Sequence, residues 1–356
     1  MLLLAAGWVG FRAYQAATAL QEARDVASRL DDGLLSGEVS ATDLATAQRT
    51  TARAAAASSD PVWRVAEVIP WVGTQLHTVR IVSTSLADVM DEVVPPLVDV
   101  VGSAREGGLR TADGRFDLTA IAAAAPALDR ADTVAAGASA AVDGLSTAGL
   151  VGPLVDPVTQ VQEVLTTVAG AARTASTVVD LAPVMLGADG PRTYLVLALN
   201  SAELRSAGGI VGAVTAINVD DGAVTLGAQL STRDLPELDE PVLPLTDEEL
   251  AADGARLGRW VQDATMTPDF PRTGQLVAAR WVAAVGGTVD GVVAVDAPAV
   301  AQLLTVTGPV TTSGGQTLTS DTFVAAVLQA PYESTVDDQG AVELDRTFAD
   351  VAASVF

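Results

Sequence analysis

Tyr194 to Leu199, YLVLAL, is an unbroken apolar run of strand length, and the chain changes character around it. A run like this, closed by polar residues, fits a strand buried in a sheet. It gives way to Asn200-Ser201-Ala202-Glu203-Leu204-Arg205 and then to Gly208-Gly209, a pair that permits positive φ or the close approach of another group. Ile210 to Val219 is strand-like again, and Asp220-Asp221-Gly222 is a turn signal before Ala223 to Leu226. A buried strand thus delivers a glutamate, an arginine and a glycine turn to one edge of a sheet.

Upstream of this stretch the pattern is helical and rich in alanine. Leu20, Ala23, Ala27, Leu30 and Leu34 keep the three-four spacing of an apolar stripe. Ser40 is placed to cap a helix over residues 41–57, with Asp43 at the capping-box position. Residues 74–105 read as a further helix, broken or kinked at Pro95-Pro96. A stripe of mostly small residues runs from Leu118 through Leu128 and Ala135 to Leu145, and a heptad from Val158 through Leu165 and Ala172 to Val179. So many alanines on the seams imply close helix contacts, as in a bundle. Gly187-Ala188-Asp189-Gly190-Pro191 closes this part. The expected fold class is α+β or α/β: a helical bundle over 13–188, then a mixed sheet domain with helices over 189–356.

Composition removes several chemistries. The 20 basic residues are all arginine, which excludes Schiff-base and P-loop lysines, and with 0 cysteines there is no thiol catalysis or disulfide. One histidine, His77, cannot build a multi-histidine metal site. A formal net charge of -24 argues against nucleic acid as a partner.

The first 11 residues, MLLLAAGWVGF, are apolar but shorter than the ~20 residues a membrane span needs. Three readings compete: part of a signal anchor, a signal-peptide core, or the start of a buried helix. Trp8, Phe11 and Tyr14 suit the interfacial belt at the end of a span. Pro61 to Gly73, with Trp63 and Trp71, reads as a packed helix corner or as a segment lying on a membrane surface.

After the strands, Asp234 to Asp253 carries eight acidic residues without the spacing of an EF-hand, which favours a solvated loop over a cation site. Gln275 to Val285 reads as a helix and Val289 to Asp296 as a strand. Pro298 opens a short helix, and Thr319 or Ser320 caps another over 318–328. Glu203 and Arg205 point the same way in an extended segment, so they suit an ion pair. Asp263 and Asp269 suit turn caps.

The run Asn200…Glu203-Leu204-Arg205…Gly208-Gly209 resembles the signature of domain of unknown function 4012, a bacterial envelope family. So do Asp263…Pro268-Asp269-Phe270-Pro271, Asp290-Gly291-Val292…Val295-Asp296 and Leu304…Val306-Thr307-Gly308-Pro309-Val310, in the same order. Its members, many of them actinobacterial, are anchored by one membrane span with the bulk outside the cell. The resemblance implies a single-pass membrane protein of the cell envelope, extracytoplasmic in bulk, whose C-terminal portion continues beyond this sequence.

The order of strand, Asp-Gly-Val-Val-x-Val-Asp, helix and Thr-Gly-Pro-Val is also similar to part of the LytR-CpsA-Psr phosphotransferases. These attach lipid-pyrophosphate-linked glycopolymers to the wall with arginines and a divalent ion. That resemblance implies an envelope glycopolymer or its lipid-linked precursor as partner, with Arg205 beside Gly208 and Gly209 as the chief phosphate ligand. Arg233, Arg259 and Arg272 would assist, since guanidinium matches phosphate geometry. Glu203, Asp263 or Asp269 would hold Mg²⁺ or another divalent cation. Two functions stand side by side: a binding or scaffolding protein, and a phosphotransferase. They differ in whether the arginines converge.

Overall fold

The computed structural model describes residues 7–8, 10–15, 40–312 and 315–328. The stripe over Leu20 to Leu34, most of the apolar start and the segment after 328 lie outside the described residues. The chain divides into two compact units between Pro183 and Val184, a few residues before the boundary expected from the Gly187–Pro191 punctuation.

The first unit is helical. Its helices are α1 (Ala41–Ser58), α2 (Pro61–Ala66), α3 (Val72–Asp88), α4 (Val94–Arg105), α5 (Leu118–Asp143) and α6 (Gly152–Met185). Ser40 caps α1 as expected, but its hydroxyl accepts from Thr42 N at 3.2 Å rather than from Asp43. Between α3 and α4 the backbone takes a π turn over Val89–Val93. Pro95 and Pro96 have no N–H to donate to the preceding turn, and the widened turn absorbs the mismatch without breaking the rod. Both expected stripes face inward: Leu128, Ala131 and Val142 of α5 and Leu165 and Ala172 of α6 are completely or almost completely buried. Small seam residues bring these backbones close, and Gln162 Nε2 reaches the Val142 carbonyl at 3.1 Å.

The second unit is built on a four-stranded mixed sheet of β1 (Arg192–Asn200), β2 (Ile210–Asp220), β3 (Ala223–Ser231) and β4 (Gly291–Asp296), ordered β3-β2-β1-β4. β1 is central, antiparallel to β2 and parallel to β4. Asp221 and Gly222 both have positive φ (47° and 77°), the geometry of a tight hairpin turn, as their sequence implies. Leu195, Leu197 and Leu199 of β1 lie on one buried face, against Val211, Leu276 and Trp281.

The remaining elements are α7 (Asp247–Ala252), α8 (Arg256–Arg259), α9 (Phe270–Ala284), α10 (Ala297–Thr307), β5 (Val310–Thr311), β6 (Thr317–Leu318) and α11 (Ser320–Leu328). α9 begins earlier than Gln275 because Asp269 takes an extended N-cap conformation with Pro271 in the first turn. The acidic stretch is more structured than expected: Thr246 and Glu249 form a reciprocal capping box at the start of α7.

Candidate functional site

The end of β1 is where the sheet stops being regular. Its register with β2 shifts between Ala198 and Leu199, and the chain then turns away from the sheet. Asn200 is buried, and its side-chain oxygen accepts from Ala202 N at 3.0 Å, which fixes the first bend. The loop returns through Gly208 and Gly209. A Cβ at Gly209 would lie 2.5 Å from the Asn200 carbonyl oxygen, so only glycine passes there.

A second turn, a 3₁₀ segment at Val261–Asp263, is bonded to this loop. Thr265, fully buried, donates its hydroxyl to the Gly209 carbonyl at 2.7 Å, while Ala207 N donates to the Thr265 carbonyl at 3.0 Å. Thr273 of α9 in turn donates to the Ala264 carbonyl at 2.8 Å.

These turns bring Arg205 to Asp263. The Asp263 side chain is 0% exposed, and Arg205 Nη2 donates to its Oδ1 at 3.2 Å. Arg256 Nη2, on α8, lies 2.8 Å from Oδ2, a charge contact rather than an aligned hydrogen bond. Arg205 Nη1 also donates to the Leu204 carbonyl at 3.0 Å, and its Nε is buried without a hydrogen bond. A buried carboxylate is tolerated only with such partners, because an isolated charge in the interior costs several kcal/mol.

Beside the pair is an open concavity of about 690 Å³ lined by Leu204, Arg205, Ser206, Asp253, Arg256, Asp263 and Met266. Two guanidiniums and two carboxylates balance there, and most of the positive charge already faces Asp263. Arg256 and Met266 carry no signal in the sequence, and Asp253 reads there only as one of the acidic residues of a solvated loop. Arg256 sits on a four-residue helix with no motif around it, and only the fold reveals that it faces Asp263.

The expected convergence of arginines does not occur. Arg259 pairs with Glu237 at 2.6 Å and donates to the Leu238 carbonyl. Arg272 pairs with Glu249 at 2.6 Å and reaches the Pro244 carbonyl. Arg233 is exposed on the segment after β3, and it does not line the concavity. The reason is local: the long connection between β3 and α9 lacks regular structure over much of its length, and Arg259 within it and Arg272 from the first turn of α9 hold its carboxylates and carbonyls. The candidate metal ligands Asp263 and Asp269 are also placed apart in role. Asp263 faces two cations, which is the wrong company for a third, and Asp269 is the N-cap residue of α9. Among the described residues no cluster of three metal-ligating side chains forms. Glu203, Gly208 and Gly209 shape the loop but do not line the concavity.

The other residues that carry the family resemblance also build the fold. Asp290 accepts from Thr193 N at 2.8 Å and ties β4 to the start of β1. At Gly291 a Cβ would meet the Tyr194 ring at 2.9 Å. Asp296 caps α10 through Ala299 N at 2.9 Å, and Gly308 closes that helix at φ 89°.

Residues 189–332 match the model of a protein family described as "Protein of unknown function (DUF4012)". This part of the chain is a domain of that family, and it falls within the second compact unit. Neither a curated protein nor a solved structure matches the chain.

Proposed function

We propose that the chain is a membrane-anchored, extracytoplasmic cell-envelope protein that works by binding or scaffolding rather than by phosphoryl transfer. One observation carries the second half of this: Arg205, Arg259 and Arg272 are each held by a different carboxylate, Asp263, Glu237 and Glu249. A pyrophosphate needs several guanidiniums aimed at one point, and here that aim would require breaking separate ion pairs. The signature residues work as caps, turns and staples, which suits a domain whose product is a rigid surface.

The location rests on the apolar start of the sequence and on its aromatic end at Trp8, Phe11 and Tyr14. Among the described residues no helix is long and apolar enough to cross a membrane, and most of the apolar run lies outside them. The test is a pair of fusions after Phe356, one to alkaline phosphatase and one to a fluorescent protein that folds only in the cytoplasm. Phosphatase activity without fluorescence is the expected result. Fluorescence without phosphatase activity overturns the location.

A further inference from the structure

The strongest unexplained surface in the first unit is the corner between α2 and α3. Trp63 turns inward there, 1% exposed, and donates its indole N–H to the Leu76 carbonyl. Its neighbours do the opposite: Val65 is 70% exposed, Val68 79% and Trp71 63%, with Val62 and Ile69 also exposed. Trp71 is held at φ 65°, ψ −49° by a bond from Val72 N to the Pro70 carbonyl at 2.8 Å, a γ-turn of the rare, strained hand. Gly73 makes the corner possible, since a Cβ there would collide with the Glu67 carbonyl. The corner is thus a strained scaffold that displays bulky apolar side chains to the outside.

The apolar start of the chain is attached to this same corner. Asp60, the N-cap of α2, accepts from Trp8 Nε1 at 3.2 Å and from Arg12 at 3.1 Å. Phe11 and Tyr14, like Trp8, are exposed. Two exposed apolar and aromatic surfaces therefore meet at one residue, and one of them continues into the run MLLLAAG.

We infer that the Pro61–Trp71 corner is a membrane-interfacial foot, which seats in the headgroup layer of the bilayer that takes the N-terminal run. A lipid surface is the occupant that covers both patches at once, because aromatic and β-branched side chains beside an apolar run match the interfacial zone. With so acidic a chain, apolar burial rather than attraction to anionic lipid drives the contact, so seating is insensitive to salt.

This inference rests on the membrane-anchoring proposal, and the experiment separates the two. The chain has 0 cysteines, so Val68→Cys gives a unique labelling site in the full-length protein. Thr174→Cys is the control: Gln75 bonds the Gly149 carbonyl where α6 leaves the corner, and Thr174 sits about 30 Å along that helix. Each variant carries an environment-sensitive fluorophore and is floated with phosphatidylcholine vesicles containing shallow brominated lipid. The expected result is a blue-shifted, several-fold quenched label at 68 and an unchanged label at 174, at low and high salt. A vesicle-bound protein whose label at 68 stays as water-exposed as that at 174 overturns the foot and leaves the anchor standing. A label at 68 shielded without vesicles means a second copy covers the corner, and also overturns it. Failure to float with vesicles overturns the anchoring proposal, and the foot with it.

Discussion

Arg205 and Asp263, 58 positions apart, meet across two turns, with the guanidinium 3.2 Å from a carboxylate that solvent does not reach. The pair closes the loop after β1 onto the turn before α9. Its energetic weight is asymmetric: removing Arg205 strands a carboxylate that solvent does not reach, whereas removing Asp263 leaves a guanidinium that is 24% exposed.

Asp263→Asn should destabilise the second unit by about 1–3 kcal/mol, since the fully buried side chain loses its charge-assisted contacts with Arg205 and Arg256. Arg256→Ala should cost about 0–1 kcal/mol, because that side chain is 63% exposed and solvent already screens it. Urea denaturation of both variants checks the order. Equal losses would mean that burial of Asp263 is not what gives the pair its weight.

Gly209→Ala should cost about 1–3 kcal/mol, because its Cβ would meet the backbone of Asn200 and Ser201 and the loop must shift. Gly137→Ala, in α5 with open space around the added carbon, should be neutral or slightly stabilising. Thermal melts of the two variants decide it. An unchanged melting point for Gly209→Ala would show that the loop is free to move.

Glu249 is held below its ordinary value of 4.5, first by its hydrogen bonds from Arg272, against a smaller opposing effect of burial. Its folded value is depressed, so its contribution to stability is whole above that ordinary value and is lost as pH falls through the folded value. The stability gap between wild type and Arg272→Ala should therefore be constant near neutrality and narrow on acidification below 4.5. A gap independent of pH across that window would contradict the pairing.

Much of the sheet was legible because buried strands announce themselves. YLVLAL and the Ile210–Val219 run became β1 and β2, and the Asp221-Gly222 turn became the hairpin that joins β2 to β3. The helical seams were equally legible, since Leu128 and Leu165 follow a fixed period. The site was not. Arg205, Arg233, Arg259 and Arg272 look like a group only because they share a region of sequence, and periodicity carries no information on which carboxylate each will meet. Asp263 reads as a turn residue because its burial depends on α8 and on the Gly209 loop, contacts made far along the chain. Arg256 left no trace at all, being an ordinary residue on a one-turn helix.

Whether these arginines staple the fold or grip a phosphate is decided by thermal melts of wild type and Arg205→Ala, alone and with a polyprenyl pyrophosphate, each with and without Mg²⁺. Arg205→Ala should melt lower than wild type without ligand, and the lipid pyrophosphate should shift neither protein. An upward, Mg²⁺-dependent shift of the wild type that vanishes in Arg205→Ala would contradict the stapling role.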